Sequence, residues 1–388
     1  MQQGRKKERI TIGTPVVVGH SRPSETRWGY FQFPSLFRLP GGELMVTVND
    51  ADDATGGYGR PLRRFVSTDE GRTWRDAGQG LPGLGPHASC AELYDGEYLI
   101  LAATAALDLA AAGVDLPAPI GRAFAYHEFL FHRVDQCPAL VREYLTRLPA
   151  WRWTAAKPTW TPDQVRYDVA GHLCWTVAGE PKVARTWFEH APIRHNGELL
   201  YADYRTNCLS NDGSVPDGFA CLIMVSTDNG KSFQKRSVVA TGRVYEPMLA
   251  DTADGELVCV IRSADQEQRP MLISHSQDHG HTWELPRPLF GCGVFPALVR
   301  LGNGALLLAF GRPGVWVAAS ADSGRNWTDP VPVIEAETTA NLAHTCGYTN
   351  LLALGGEEAL LVYTDFKHTG PDGRPCKSAE VRRITVRQ

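Results

Sequence analysis

Four short phrases in this chain share one pattern: STDEGRTW from Ser67, STDNGKSF from Ser226, SQDHGHTW from Ser276 and SADSGRNW from Ser320. Each sets Ser, Asp and Gly at alternate positions and ends on an aromatic ring. Such a phrase constrains a fold more than local propensity does, because every copy must sit at an equivalent place in a repeated unit. It also carries its own mechanics. Asp accepts hydrogen bonds within a turn, Gly supplies a backbone angle that other residues avoid, and the ring packs between layers. One Asp per copy provides too few oxygens for a calcium loop, so a structural turn is expected rather than a metal site.

A longer period contains the phrase. Six segments read as apolar alternation, small-residue turn, apolar alternation: FPSLFRLPGGELMVTVND from Phe33, ASCAELYDGEYLILAAT from Ala88, HAPIRHNGELLYADYR from His190, EPMLADTADGELVCVIR from Glu246, FPALVRLGNGALLLAFGR from Phe295 and GYTNLLALGGEEALLVYTD from Gly347. Their turn glycines are Gly42, Gly96, Gly197, Gly255, Gly304 and Gly356. The copies recur about every 50 residues except across the second interval, about twice that, and four strands per unit make a propeller blade. The expected fold is therefore all-β, a six-bladed β-propeller. The long interval, 105–187, is expected to be an insertion lobe between blades two and three. Within it VDQCPALVREYLTRL has helical apolar spacing, and WRWTAAKPTWTPDQ is rich in aromatic residues and proline.

The 388 residues are 43% hydrophobic, which is ample for a large core. A net charge of −4, with no basic run beyond GRKKER near the start, gives no reason to expect nucleic acid as a partner. No early apolar stretch marks a leader or a membrane span, so a cytoplasmic address is the default unless a leader was removed. Nine cysteines without a CxxC pair point to buried free thiols. His127 and His132 lack a third ligand at a zinc spacing, and no phosphate loop or Ser-His-Asp order is present, so no metal or cofactor is expected.

Counting from the turn glycines locates a second layer of positions. Seven or eight residues on stand Asp50, Thr104, Arg205, Arg262, Arg312 and Thr364. Three arginines at equivalent positions of a propeller converge on its axis, where they repel one another unless an anion joins them. The competing reading is that each pairs separately with Asp or Glu. Eight residues before the glycines stand Pro34, Pro247, Pro296 and Tyr348, and Glu246 precedes Pro247. A phenol with a pKa of about 10 becomes a nucleophile when a carboxylate takes its proton. At an anomeric carbon that already bears a carboxylate, a neutral tyrosine avoids the repulsion an acidic nucleophile would meet.

These segments together resemble the sialidase (neuraminidase) superfamily of Asp-box propellers, over essentially the whole chain apart from the insertion. The resemblance implies a retaining exo-glycosidase that removes a terminal acidic sugar, sialic acid or a related 2-keto-3-deoxy acid, from a glycan. It implies Tyr348 as nucleophile, Glu246 as its base, and Arg262 and Arg312 as carboxylate clamps. Two features depart from the family pattern. Gln32 in FQFP stands where the family has its first clamp arginine, so either Arg205 supplies that charge or the ligand is not an ordinary sialic acid; Arg38 of FRLP lies too near Gly42 to replace it. The general acid falls in NDADDATGGYGRP, where Asp50, Asp52 and Asp53 are available; Asp50 shares the arginine layer and Asp53 is nearest the family position. A neutral sugar such as arabinan, cleaved by two carboxylates, or a non-catalytic carbohydrate-binding propeller are the alternatives.

Overall fold

Alternating apolar stretches broken by glycine turns fold into a succession of antiparallel sheets, each meeting the next face to face. The computed structural model describes residues 9–79, 89–101, 103–124, 127–168, 171–210, 213–336 and 344–388, so the basic run GRKKER lies almost wholly outside the described residues, as does Ala88. Unit one comprises Tyr30–Arg38, Leu44–Asp50, Arg63–Ser67 and Arg75–Gln79. Unit four comprises Tyr245–Asp251, Leu257–Arg262, Met271–Ser276 and Arg287–Leu289, and unit five comprises Val294–Arg300, Leu306–Gly311, Val315–Ser320 and Val331–Ile334. Unit three (Ile193–His195, Glu198–Asp203, Phe219–Ser226, Ser232–Gly242) is joined at its outer edge to unit two by the parallel pairs Arg166↔Ser232 and Tyr167↔Phe233. Unit six takes Asn350–Gly355, Glu358–Thr369 and Pro375–Arg387, and the early strand Arg9–Ile12 completes it by pairing with Pro375–Arg387.

All six turn glycines have positive φ, the region that hairpin turns require and that side chains disfavour. Between each neighbouring pair of units lies a separate apolar cluster. Phe37 and Met45 meet Cys90 and Ile100 between units one and two. Leu200 and Ile223 meet Leu249 and Ile261 between three and four, and Val258 and Ile273 meet Leu298 and Leu308 between four and five. Ala309 and Val317 meet Leu361 and Tyr363 between five and six. Leu360 and Val362 then meet Val46 and Phe65, which seats the last unit on the first. Full burial of one such side chain contributes about 1.5–3 kcal/mol.

The four repeated phrases lie between the third and fourth strands of units one, three, four and five, as the sequence implies. In unit one Ser67 Oγ donates to Asp69 Oδ1 at 2.8 Å and accepts from Gly71 N at 2.9 Å. Asp69 also accepts from Thr73 N at 2.9 Å and Thr73 Oγ1 at 2.6 Å. The Thr73 hydroxyl, the Thr73 amide and the Ser67 hydroxyl pull the Asp69 carboxyl down to about 2. Its oxygens thus serve the turn. Gly71 is required twice over, by φ +80° and because a Cβ would approach Leu360 Cδ2 to 2.7 Å.

The interval 105–187 is not one lobe. Arg147–Thr154 pairs with Tyr98–Leu101, and Lys157–Tyr167 pairs with Arg147–Thr154, so the WRWTAAKPTWTPDQ stretch is the outer hairpin of unit two. Its ring-rich faces pack rather than cap: Trp151 and Trp160 cover the cluster between units one and two. From the remainder, Gly121–Phe124, Glu128–Arg133 and His172–Val177 form a separate sheet, which Asn207–Cys208 completes from beyond the interval. The expected helix is present at Ala139–Thr146, burying Val141 and Leu145. All nine cysteines are free; eight are buried and Cys292 is half-buried. No helix among the described residues is long and apolar enough to cross a membrane.

Candidate active site

Where the first strands of units one, four and five begin, a residue with positive φ precedes a proline: Phe33 (52°), Glu246 (46°) and Phe295 (43°). That backbone region is unusual before proline, and the strand register is irregular at all three places. The shared kink gives these side chains equivalent stations. Tyr348, at the corresponding place before unit six, is held between two of them, its ring 4.7 Å from Phe33 and 4.8 Å from Phe295. Gly311 permits the approach, since a Cβ there would fall 1.9 Å from the Gly347 carbonyl oxygen.

These groups meet at a cavity of about 340 Å³. Tyr348 Oη donates to Glu246 Oε1 at 2.6 Å, and Arg262 Nη1 donates to the same oxygen at 2.6 Å and lies 3.4 Å from Tyr348 Oη. The other Glu246 oxygen accepts from Phe295 N at 2.8 Å. Glu246 is 5% exposed, a buried carboxylate held by three donors. Burial and then the Glu246 charge push the Tyr348 phenol well above its ordinary range, against the pull of Arg262 and Arg312. A standing phenolate is therefore disfavoured, and Glu246 is the carboxylate that the phenol proton faces.

Every clamp arginine of the sequence analysis carries a carboxylate of the chain. Arg262 Nε and Nη2 donate to Asp265 Oδ1 at 2.9 and 2.7 Å. Arg312 Nη1 donates to Asp265 Oδ2 at 3.3 Å and its Nη2 to Cys346 O at 3.2 Å. Arg205 lies 3.5 Å over the Trp187 ring; its Nε donates to Glu189 Oε1 at 2.8 Å and its Nη2 also meets that oxygen. Burial pushes Glu189 up to about 7, Arg205 opposing and Glu246 adding to the rise. Opposite them, Asp53 opens onto the cavity, accepting from Trp28 Nε1 at 2.8 Å. Asp53 is an exposed residue whose carboxyl is nonetheless crowded at the cavity wall; that partial desolvation raises its pKa, with the Trp28 bond pulling the other way.

The cavity thus gathers Asp53, Arg205, Glu246, Arg262 and Tyr348. Three further positions from the sequence do not line it. Asp50 is exposed at a strand end opposite Tyr30, because alternation turns its neighbour Asn49 inward, where Nδ2 donates to Gly29 O and Ala51 O. Gln32 is buried beneath the wall, its Oε1 accepting from Gly29 N at 3.1 Å. Arg312 stands behind Asp265. Arg38 is the turn-bound residue expected of it, donating to Gly42 O and Glu70.

Two acids escaped the sequence reading. Glu189 lies eight residues before Gly197, the same offset that marked Tyr348 from Gly356, and extending the count to the third copy finds it. Asp265 follows Arg262 by three residues in a one-turn helix, a local device with no counterpart in the repeat. The lobe adds Phe129 and Trp175 to an apolar wall, with Phe219 and Tyr245 from units three and four. His127 also lines the cavity, whereas His132 is bonded to Pro117 O and Thr176 Oγ1 in the packed interior of the lobe. Among the described residues no cluster of three or more His, Cys, Asp or Glu is arranged to hold a metal ion.

Residues 179–356 match the model of a BNR repeat-like domain. A protein of unknown function from Dyadobacter fermentans is 17% identical, with 97% of this chain and 99% of that one superposed at a TM-score of 0.64. An alpha-L-arabinanase of Penicillium chrysogenum, solved with arabinobiose, is 15% identical over 96% of this chain and 98% of its own, TM-score 0.56. The NanB sialidase of Streptococcus pneumoniae is 11% identical over 95% of this chain and 70% of its own, TM-score 0.55. No curated protein matches. The chain shares its all-β fold with solved glycosidases, an arabinanase and a sialidase among them. The kinked inner strands and the rim turns are the two repeated elements through which this fold positions the cavity.

Proposed function

We propose that the chain is a six-bladed propeller that acts as a retaining glycoside hydrolase on a terminal sugar, with Tyr348 as nucleophile, Glu246 as its base and Asp53 as general acid. One observation carries the chemistry: the 2.6 Å hydrogen bond from Tyr348 Oη to a buried glutamate already engaged by Arg262 and a backbone amide. As Tyr348 Oη bonds to the anomeric carbon, its proton passes to Glu246 and Asp53 gives its proton to the departing glycosidic oxygen. Water then attacks the glycosyl-tyrosine, Asp53 takes the water's proton, and Tyr348 recovers its own from Glu246. The place of Asp53 on the cavity wall, and the upward direction of its shift, support its assignment as the acid.

The sugar in this proposal is neutral. The acidic sugar that the family resemblance implies would need guanidiniums able to receive its carboxylate, and Arg205, Arg262 and Arg312 are each bonded to Glu189 or Asp265. A second chemistry, attack by Glu246 itself with Tyr348 only orienting it, is favoured by the absence of a substrate charge to avoid. A 2-fluoro aryl glycoside panel separates the two by peptide mass after trapping. Label on the peptide bearing Tyr348 is expected; label on that bearing Glu246 would establish the second chemistry, and no turnover of any glycoside beside tight glycan binding would leave a binding protein.

A further inference from the structure

Arg262 ends the strand Leu257–Arg262, and the chain turns at once into the short helix Asp265–Glu267. That turn, fixed by Gln268 N donating to Asp265 O at 2.9 Å, returns the Asp265 carboxylate to the guanidinium it follows. The Asp265 side chain is 5% exposed. One oxygen takes both Nε and Nη2 of Arg262, and the other takes Nη1 of Arg312, a residue of the neighbouring unit. A carboxylate with each oxygen on a different guanidinium is the arrangement by which two arginines grip an anionic ligand. Here the gripped carboxylate is covalently part of the protein.

We infer that Asp265 is a resident surrogate for a ligand carboxylate and the residue that makes this site select against acidic sugars. The inference rests on the reading of the cavity as a sugar site. The edge of Arg262 that forks onto carboxylates faces Asp265, while Nη1 is committed to Glu246 and Tyr348. A substrate carboxylate would have to expel a tethered competitor into solvent before it met either arginine. Tethering gives that competitor a high effective concentration, and burial makes its departure unfavourable. A sugar presenting only hydroxyls meets no such obstacle, because hydroxyls can use the acceptors of Glu246 and Glu189 that line the same cavity.

The prediction is that removing this one carboxylate opens an anion site. Asp265→Ala should have a lowered melting temperature that acetate restores beyond an equal concentration of chloride, whereas acetate leaves the wild type unmoved. Titrated calorimetrically with N-acetylneuraminic acid, Asp265→Ala and Asp265→Asn should bind at least tenfold more tightly than the wild type. The methyl ester of that sugar should show no such gain. Asp265→Asn, which keeps the side-chain shape, carries the binding test if the alanine variant fails to fold. A wild type that binds the acid as tightly as either variant, or variants that gain for ester and acid alike, would overturn the inference. Because these readouts need no turnover, their failure is distinguishable from that of the hydrolase proposal, which the trapping experiment tests.

Discussion

The rim turns and the cavity mouth are built by the same repeat, yet they treat repetition in opposite ways. At the rim, Ser67, Ser226, Ser276 and Ser320 each accept from the glycine four residues on and donate to the aspartate two residues on. At the mouth, equivalent kinks present Phe33, Glu246 and Phe295, three different side chains on one backbone geometry. Identity at the rim holds neighbouring sheets in one register; divergence at the mouth makes a site. The difference teaches that the repeated motif is a frame, and that chemistry must be sought where the copies disagree.

Substitutions can break this contrast. The largest effect belongs to the mouth: Glu246→Gln should lower kcat by about a hundred- to ten-thousand-fold, the range of a positioned proton acceptor, while far-ultraviolet circular dichroism stays native. Asp53→Asn should follow, with a loss that is large for alkyl glycosides and much smaller for nitrophenyl glycosides, whose leaving group needs no proton; Asp50→Asn should leave kcat/KM within about twofold. If the two aspartates exchanged these behaviours, the assignment of the acid would be reversed. A rim change should do the converse. Ser276→Ala leaves the buried Gly280 N–H without its acceptor, a loss of about 1–3 kcal/mol in denaturant unfolding, with kcat unaltered.

The smallest effect concerns pH. Glu189 rises from 4.5 to about 7 on folding, so the folded state holds its proton more firmly than the unfolded chain. The stability this supplies is complete below about pH 4.5 and is lost as pH climbs through about 7. Unfolding free energy measured from pH 4.5 to 8 should therefore fall more steeply in the wild type than in Glu189→Gln, by about 1–3 kcal/mol over the range. Parallel curves would mean that Glu189 titrates alike in both states.

The same contrast explains what the sequence disclosed. Turn glycines and Asp boxes are legible because local φ and hydrogen-bond demands repeat wherever a hairpin repeats. Tyr348, Glu246 and Arg262 follow by counting from those glycines, since equivalent offsets converge on one axis. Asp50 was misjudged by one step of strand alternation, which turned Asn49 inward instead. The outer hairpin of unit two stayed hidden because it lacks an Asp box and its strand partner Tyr98–Leu101 lies far back in the chain. Arginine charge was legible and its neutralisation less so: Asp265 reaches Arg262 through a one-turn helix with no counterpart in the repeat, while Glu189 reaches Arg205 within unit three from the same offset that marks Tyr348.

The ring of Tyr348 is fixed by Phe33 from unit one and Phe295 from unit five, and unit six is completed only when Pro375–Arg387 receives Arg9–Ile12. On the ribosome, the early strand must wait for its partner until the late one emerges. Until then the phenol lacks its two-sided seat, so the proposed hydrolysis would begin with circularisation of the sheets and not with the folding of any single one. Under the proposed function, turnover would serve as a clock for ring closure.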